Sequence, residues 1–86
     1  MPISYVLINS NLGTDVQIIA EIKEIMAKQS DVQVEIQGVY GVYDIILKLT
    51  ANDTTKLRSI VTTDIRKINN VQSTLTMMVI ERQEKS

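Results

Sequence analysis

The order in which strand and helix patterns follow one another leaves this chain few possible folds. The segment from Ile3 to Asn9 is rich in β-branched and aromatic residues, which predicts a strand. From Val16 to Gln29 apolar residues fall at positions 16, 19, 22 and 26, with 18 and 25 widening the stripe, as in an amphipathic helix. Residues 32–37 then alternate between apolar and polar, which predicts a strand with one solvated face.

The second half of the chain repeats the strand and helix patterns. A third strand is predicted over residues 43–50, and a second helix follows the capping residues 52–53. This helix carries apolar residues at positions 57, 60, 61, 65 and 68. It is expected to end at the two asparagines 69–70, since asparagine tolerates the left-handed conformation. A last strand is predicted over residues 71–81, followed by a polar tail at 82–86.

The resulting order, βαββαβ, is that of the ferredoxin-like fold. Tyr5 and Tyr43 are 38 positions apart, as are Asp15 and Asp53, which supports two related halves. Right-handed crossovers then place both helices on one face of a four-stranded antiparallel sheet. We therefore predict an α+β fold made of a single domain over residues 1–81.

The second face of the predicted sheet indicates self-association. In the first strand, residues 3, 5 and 7 point to one face of the sheet and residues 6 and 8 to the other. In the last strand, residues 75, 77 and 79 point to one face and residues 78 and 80 to the other. All of these residues are apolar. We take these two strands as the central pair of the sheet. A half-solvated sheet carries polar residues along one side, so a second copy is expected to cover the apolar face. We predict at least a homodimer, packed sheet to sheet.

Composition excludes several classes of function. A chain of 86 residues has room for one domain, and nine scattered Lys and Arg residues with a net charge of −1 form no basic stripe for nucleic acid. The chain contains no cysteine or histidine, so we expect no disulfide, no metal site and no cofactor. Met77 and Met78 are therefore interpreted as packing residues. No apolar run approaches the length of a membrane span, and we expect a cytoplasmic protein.

The segment from Gly38 to Asp44 is where we expect binding chemistry. It reads Gly-Val-Tyr-Gly-Val-Tyr-Asp and continues into an apolar strand. Turn glycines at positions 38 and 41 would allow positive φ and close approach of another molecule to the main chain. A carboxylate fixed where the turn becomes a strand can meet an ammonium group, so the segment suits a small amino acid. The structural alternative is that Asp44 only starts the strand, where it pairs with a neighbouring lysine or caps the turn.

The chain resembles, over nearly its whole length, the effector-binding (RAM) domain of the Lrp/AsnC transcription regulators. The family pattern Val-Thr-Gly-x-Tyr-Asp corresponds to residues 39–44, and Thr-x-Thr in the last strand corresponds to residues 74–76. The resemblance implies amino-acid sites where dimers meet in a larger ring. The ligand-binding residues that the resemblance implies are Tyr40, Gly41, Val42, Tyr43, Asp44, Thr74 and Thr76.

Within such a site the resemblance also implies a role for each group. Asp44 would accept a hydrogen bond from the ammonium group, amides around Gly41 would donate to the carboxylate, and the threonine hydroxyls could do either. Tyr40 stands where the family has threonine and would reshape the pocket. Leu12-Gly13 stands for the family's Pro-Gly, and Asn70 stands where the family often has glycine.

These features predict a small-molecule sensing module and not an enzyme. Because only Met1 and Pro2 precede the first strand, we expect a stand-alone effector domain without a helix-turn-helix. It would modulate transcription through a full-length Lrp/AsnC-type regulator. Two other functions stay open: an interaction oligomer that binds no ligand, and a small dimeric α/β-barrel enzyme using Asp44 and a tyrosine. The ACT domain, another amino-acid sensor, shares the strand order and places its glycine where Gly13 lies.

Overall fold

A computed structural model describes residues 2–79 of the chain. Seven elements follow one another, with bounds β1 Ile3–Ser10, α1 Asp15–Ala27, β2 Val32–Gly38, β3 Ile45–Ala51, α2 Thr54–Ser59, a π-helical segment Ile60–Ile65, and β4 Val71–Met78. The predicted end of the last strand at residues 80–81 and the predicted tail at 82–86 lie outside the described residues. Among residues 2–79, no helix is long and apolar enough to cross a membrane.

The four strands form one antiparallel sheet in the order β2-β3-β1-β4. Both helices cover one face of it, so the ferredoxin-like α+β prediction is confirmed. The expectation that the first and last strands are the central pair is wrong, because β4 is an edge strand and β1 and β3 are central. The β2–β3 pair occupies one side of β1, so the second crossover delivers β4 to the other side.

The hydrophobic core lies between the sheet and the helices. Alternate residues of β1 and β3 point into it, as the period of two in a strand requires. Its buried apolar residues are Val6, Ile8, Ile18, Ile22, Met26, Val32, Ile45, Leu47, Leu49, Ala51, Leu57, Ile60, Val61, Ile65 and Ile68. This set includes all five apolar positions predicted for the second helix.

Helix α1 packs through a narrower stripe than the sequence predicts. Its buried residues are Ile18, Ile22 and Met26, which are spaced by four. Val16 was expected to begin the stripe, yet 74% of its surface is exposed. The reason is geometric, since Val16 lies about 200° around the helix axis from Ile18.

The second helix begins as predicted and then changes type. The Asp53 carboxylate accepts a hydrogen bond of 2.9 Å from Thr55 N, which caps the first turn of α2. Further along, the Thr62 hydroxyl donates to Arg58 O at 2.9 Å and competes with the backbone for that carbonyl. The next turn is wide, and Arg66 N donates to Val61 O, five residues earlier, at 3.2 Å.

The second face of the sheet, opposite the helices, is apolar along β1 and β4. The register pairs Leu7 with Leu75 and Tyr5 with Met77, which places their side chains on the same face. We call this surface the open sheet face; its apolar residues are Ile3, Tyr5, Leu7, Ile46, Leu75, Met77 and Val79. On β4 the side chains of Leu75 and Met77 are 45% and 46% exposed in the single chain.

Candidate functional site

A cleft of about 420 Å³ opens at the end of the sheet where β1 leaves it and where β3 and β4 begin. Three connections of the chain meet there, namely the β1–α1 turn, the β2–β3 loop and the turn before β4. The lining residues are Ser10, Asn11, Leu12, Gly13, Asp15, Val39, Tyr40, Asp44 and Gln72. Volumes of this order accommodate small molecules.

Asp44 joins the β2–β3 loop to β1 through one carboxylate oxygen. Its Oδ2 accepts hydrogen bonds from Ser10 N at 2.9 Å and from the Ser10 hydroxyl at 3.1 Å. The last β1–β3 pair is Ile8 with Ile45, so Ser10 lies beyond the ladder and its N–H needs another acceptor. The carboxylate supplies it. Among residues 2–79, no donor bonds to the other oxygen, Oδ1.

The backbone of Asp44 is held on both sides of its side chain. Its N–H donates to Ile8 O at 3.0 Å, and its carbonyl accepts from Val39 N at 2.8 Å. The β1–β3 register ends with the pair Ile8–Ile45, so β3 starts at Ile45 and not at Tyr43 as predicted. The carboxylate therefore has a fixed position at the entrance of the strand, half-buried in the cleft wall.

A second pair of hydrogen bonds ties the β1–α1 turn to the turn before β4. Asn11 N donates to Asn70 O at 2.8 Å, and Asn11 Nδ2 donates to Asn70 Oδ1 at 3.1 Å. Asn70 has a φ of 76°, so the prediction that it adopts the left-handed conformation at this helix end is confirmed. With the Ser10–Asp44 contact, these bonds connect all three segments around the cleft.

A β-bulge places Gln72 in the cleft wall. The β1–β4 register pairs Asn9 with Ser73 but Ser10 with Val71, which leaves Gln72 as an extra residue on β4. Bulges redirect side chains at the ends of sheets. Gln72 lies on the opposite side of β1 from Asp44, and both side chains line the same cleft.

The sequence-predicted loop residues are divided between the cleft and the outer surface. Tyr40 and Asp44 line the cleft, and Tyr40 is fully exposed. Gly41, Val42 and Tyr43 belong to the same loop but do not line the cleft. The φ of Gly41 is 129°, a conformation that favours glycine, so it is a turn glycine as expected.

The expectation that Gly38 is a turn glycine with positive φ is wrong. Gly38 is the last residue of β2 and pairs with Ile45 in the sheet. A Cβ added there would come no closer than 3.9 Å to Ile19, an ordinary contact. The glycines with a positive φ are Gly41 and, in the β1–α1 turn, Gly13 with a φ of 79°.

Thr74 and Thr76 lie on β4 away from the cleft lining. They pair with Ile8 and Val6, whose side chains point toward the helices, so the threonines share that face. Thr74 is half-buried and Thr76 is exposed, because β4 is at the edge of the sheet. Within this single chain the structure does not bring them together with Tyr40 and Asp44.

The lining residues that the sequence-based site prediction missed are Ser10, Asn11, Leu12, Gly13, Asp15, Val39 and Gln72. A polar pair after an apolar strand, Ser10-Asn11, was the available indication that β1 ends in a functional turn. Gln72 gave no such indication, since it occupies an ordinary position of the period-two pattern.

The charge of the cleft is negative. Asp15 and Asp44 both line it, and its lining includes no lysine or arginine. Four large apolar side chains on the β1–α1 turn, the first turn of α1 and the β2–β3 loop are highly exposed: Leu12 at 102%, Val16 at 74%, Tyr40 at 105% and Val42 at 82%. We call these four residues the exposed tip. A molecule bound in the cleft would thus need to bring its own positive charge.

Comparisons with known proteins agree with the fold. The family model for the Lrp/AsnC ligand binding domain matches residues 6–86. The crystal structure of FFRP-DM1 is 29% identical with a TM-score of 0.73, over 93% of this chain and 100% of that one. A comparison with curated proteins finds no match.

Two longer proteins share the fold. E. coli AsnC is 20% identical with a TM-score of 0.76, and the match covers 99% of this chain and 54% of AsnC. The transcriptional regulator NMB0573 from Neisseria meningitidis, solved as a complex with L-Met, is 13% identical with a TM-score of 0.69, over 99% of this chain and 53% of that one. This chain therefore spans about half of each. Since the family model matches nearly the whole sequence, the chain belongs to the Lrp/AsnC ligand-binding domain family, a family of regulatory domains and not of enzymes.

Proposed function

We propose that this domain is an amino-acid sensor whose ligand binds in the cleft through Asp44. The observation that carries the proposal is that the two oxygens of this carboxylate differ in their hydrogen bonds. Ser10 holds Oδ2 with two hydrogen bonds, and Oδ1 accepts none from residues 2–79. An acid held in one orientation on a rigid frame is prepared to bind an ammonium group at its second oxygen. The L-Met complex of the regulator from Neisseria supports an amino acid as the ligand class.

The lining suits the remainder of such a molecule. Leu12, Val39 and Tyr40 offer apolar surface to a side chain. The amides around Gly41 are proposed to donate to the ligand where a second copy covers the loop. Val42 and Tyr43 on the same loop, with Thr74 and Thr76 on β4, are proposed to complete the site from a neighbouring copy.

The oligomeric state of the protein would signal to a partner protein whether a ligand occupies the cleft. We propose a homodimer that buries the open sheet face, because an apolar surface of this extent is rare on monomers. Leu12 and Tyr40 of the exposed tip also line the cleft, so contacts between dimers there would join ligand binding to ring formation. A full-length Lrp/AsnC-type regulator is the proposed partner, since the net charge of −1 gives this chain no attraction to DNA.

The thermal unfolding midpoint of the protein, measured against each of the twenty amino acids, tests the proposal. A ligand at 100 times its Kd adds about 2.7 kcal/mol to the free energy of unfolding. For a domain of this size that corresponds to a rise of about 10 °C or more. The expected result is such a rise with one or a few amino acids.

Asp44→Asn separates the charge of the carboxylate from its structural role. The asparagine oxygen can still accept from Ser10, so the unliganded midpoint should stay close to that of the native chain. The rise with amino acids should be lost, because the ammonium group no longer meets a carboxylate. Asp53→Asn is the matched control, since asparagine also caps helices and Asp53 lies outside the cleft lining. Asp44→Ala should lose ligand binding and also weaken the loop, with the dimer retained.

A second candidate function is an interaction oligomer without a ligand. It is favoured by the bonds that Asp44 makes within the fold and by the fully exposed Leu12 and Tyr40. In that case no amino acid raises the midpoint of the native chain. Asp44→Asn would then respond to the panel as the native chain does.

A further inference from the structure

We infer that Gln72 determines the specificity of the cleft by binding the carboxylate of the amino acid whose ammonium group meets Asp44. The inference rests on the proposed function and assigns a role to a residue that no motif of the sequence includes. Three observations carry it: the β-bulge, the charges of the lining, and the spacing of the strands.

The bulge gives Gln72 a position that a regular strand would not. In an uninterrupted register Gln72 would pair with Ser10, but Ser10 pairs with Val71. Gln72 is therefore outside the ladder, is exposed, and contributes to the same cleft wall as Ser10 and Asp44. Such a register change at the rim of a sheet is the usual way in which a strand redirects one side chain.

The lining charges leave the carboxylate of an amino acid dependent on neutral donors. The lining offers two carboxylates, Asp15 and Asp44, and no lysine or arginine. Asn11 and Gln72 carry the side-chain amides, and the Asn11 amide already donates to Asn70 at 3.1 Å. Among residues 2–79, the Gln72 amide makes no hydrogen bond, so both of its N–H groups can donate to a carboxylate.

The spacing between the two groups fits an α-amino acid. Asp44 precedes β3 and Gln72 lies on β4, with β1 between them, so their backbones are about 10 Å apart at two strand spacings. The nitrogen and carboxylate oxygens of an amino acid are about 3 Å apart. With one hydrogen bond at each end, the molecule spans about 9 Å between protein atoms. Where the two side chains extend side by side into the cleft that both line, one amino acid can bridge the Asp44 carboxylate and the Gln72 amide across Ser10.

The test, at a pH of about 6, compares an amino acid with its α-carboxamide, which lacks the carboxylate and at this pH keeps the ammonium group. The probes are the L-amino acid of the panel that most raises the unfolding midpoint of the native chain, and its amide. Dissociation constants from calorimetry should show the native chain preferring the acid by about tenfold, the scale of one hydrogen bond to a charged group. Gln72→Ala should lower this preference several-fold, because the amides around Gly41 are then the remaining donors to the carboxylate.

Gln72→Glu should reverse the preference, because a third carboxylate repels that of the amino acid and attracts the singly positive amide. Gln33→Glu makes the same charge change at an exposed strand position on the opposite edge of the sheet and should leave the preference at its native value. Each variant is judged by the ratio of its dissociation constants for the amino acid and the amide. A general loss of stability affects both constants alike and leaves this ratio unchanged.

The outcomes distinguish this inference from the function on which it rests. If the native chain responds to no amino acid, both are rejected. If it responds and Asp44→Asn abolishes the response, but Gln72→Ala keeps the tenfold preference, the role of Gln72 is rejected and the sensor remains. A Gln72→Glu protein that binds the amino acid as tightly as the native chain would also overturn the inference.

Discussion

Ser4 and Ser10 lie on the same strand, and loss of their hydroxyl groups should change stability in opposite directions. Ser4 is fully buried on the helix side of β1, and its hydroxyl has no hydrogen-bond partner among residues 2–79. Ser10 is half-buried at the end of β1, and its hydroxyl donates to Asp44 at 3.1 Å. Both substitutions remove the same hydroxyl group, so the difference between their effects on stability reports whether that hydroxyl has a hydrogen-bond partner.

The expected magnitudes follow from the cost of an unsatisfied buried group. Burying a hydroxyl without a hydrogen bond costs about 1–3 kcal/mol, so Ser4→Ala should raise the free energy of unfolding by about 1 kcal/mol after the small loss of packing. Ser10→Ala removes a hydrogen bond to a charged group and should lower it by about 1.5 kcal/mol. The two variants should then differ in unfolding midpoint by about 10 °C or more.

Urea denaturation followed by circular dichroism gives both free energies. Protein concentration must be the same for every variant, because association stabilises the folded state. Ser10→Thr is the control, since threonine keeps the hydroxyl and suits a strand, and it should lie near the native value. A Ser4→Ala protein less stable than the native chain would refute the reasoning, because it would show that the buried hydroxyl is bonded.

Three further outcomes follow from other parts of the structure. Asn70→Ala should be less stable than Asn70→Gly by about 1 kcal/mol in urea denaturation, because the Cβ of alanine makes the φ of 76° unfavourable and glycine has no Cβ. Equal stabilities would contradict this steric cost of the positive φ. The Lys56 ammonium group, 3.2 Å from Asp31, lowers the pKa of that carboxyl group. The stabilisation by this ion pair is therefore present above the unfolded pKa of about 4 and is lost as the pH falls through the folded pKa; Lys56→Met should raise the Asp31 pKa in an NMR titration, and an unchanged pKa would contradict the pairing. Met77→Glu places a charge on the open sheet face and should reduce the sedimentation coefficient of the assembly, whereas Gln17→Glu on the exposed side of α1 should not.

The fold could be predicted because its strongest sequence patterns are also its packing patterns. In β1 and β3 alternate residues are buried against the helices, as the period of two requires. Ile65 and Ile68 are buried as the helical spacing predicts, although Ile65 ends a π-helical segment and Ile68 follows it. A wide turn shifts the backbone hydrogen bonds by one residue and still keeps the apolar side chains on one side of the helix.

The sequence predictions were wrong where apolar residues continue the expected spacing but do not pack against the core. Val16 is apolar and at helical spacing from Ile19, but the face of α1 that meets the sheet is centred on Ile18 and Ile22. The last strand is apolar on both sides and was taken as central, although it lies at the sheet edge. Apolar residues at an edge indicate a surface that another molecule covers as readily as they indicate a central position.

The candidate site was predictable only through Asp44 and its loop, because the rest depends on register. Ser10 becomes a partner of Asp44 since the β1–β3 ladder stops at Ile8, and Gln72 enters the cleft since one residue of β4 is left unpaired. Neither event has a local sequence pattern, as both depend on where two distant segments align. The proposed ligand role of Asp44 is compatible with these contacts, because Ser10 bonds one carboxylate oxygen and leaves the other. A site search in this family should therefore begin with residues at strand ends that bind a motif side chain, and then extend the list to whatever shares their cleft.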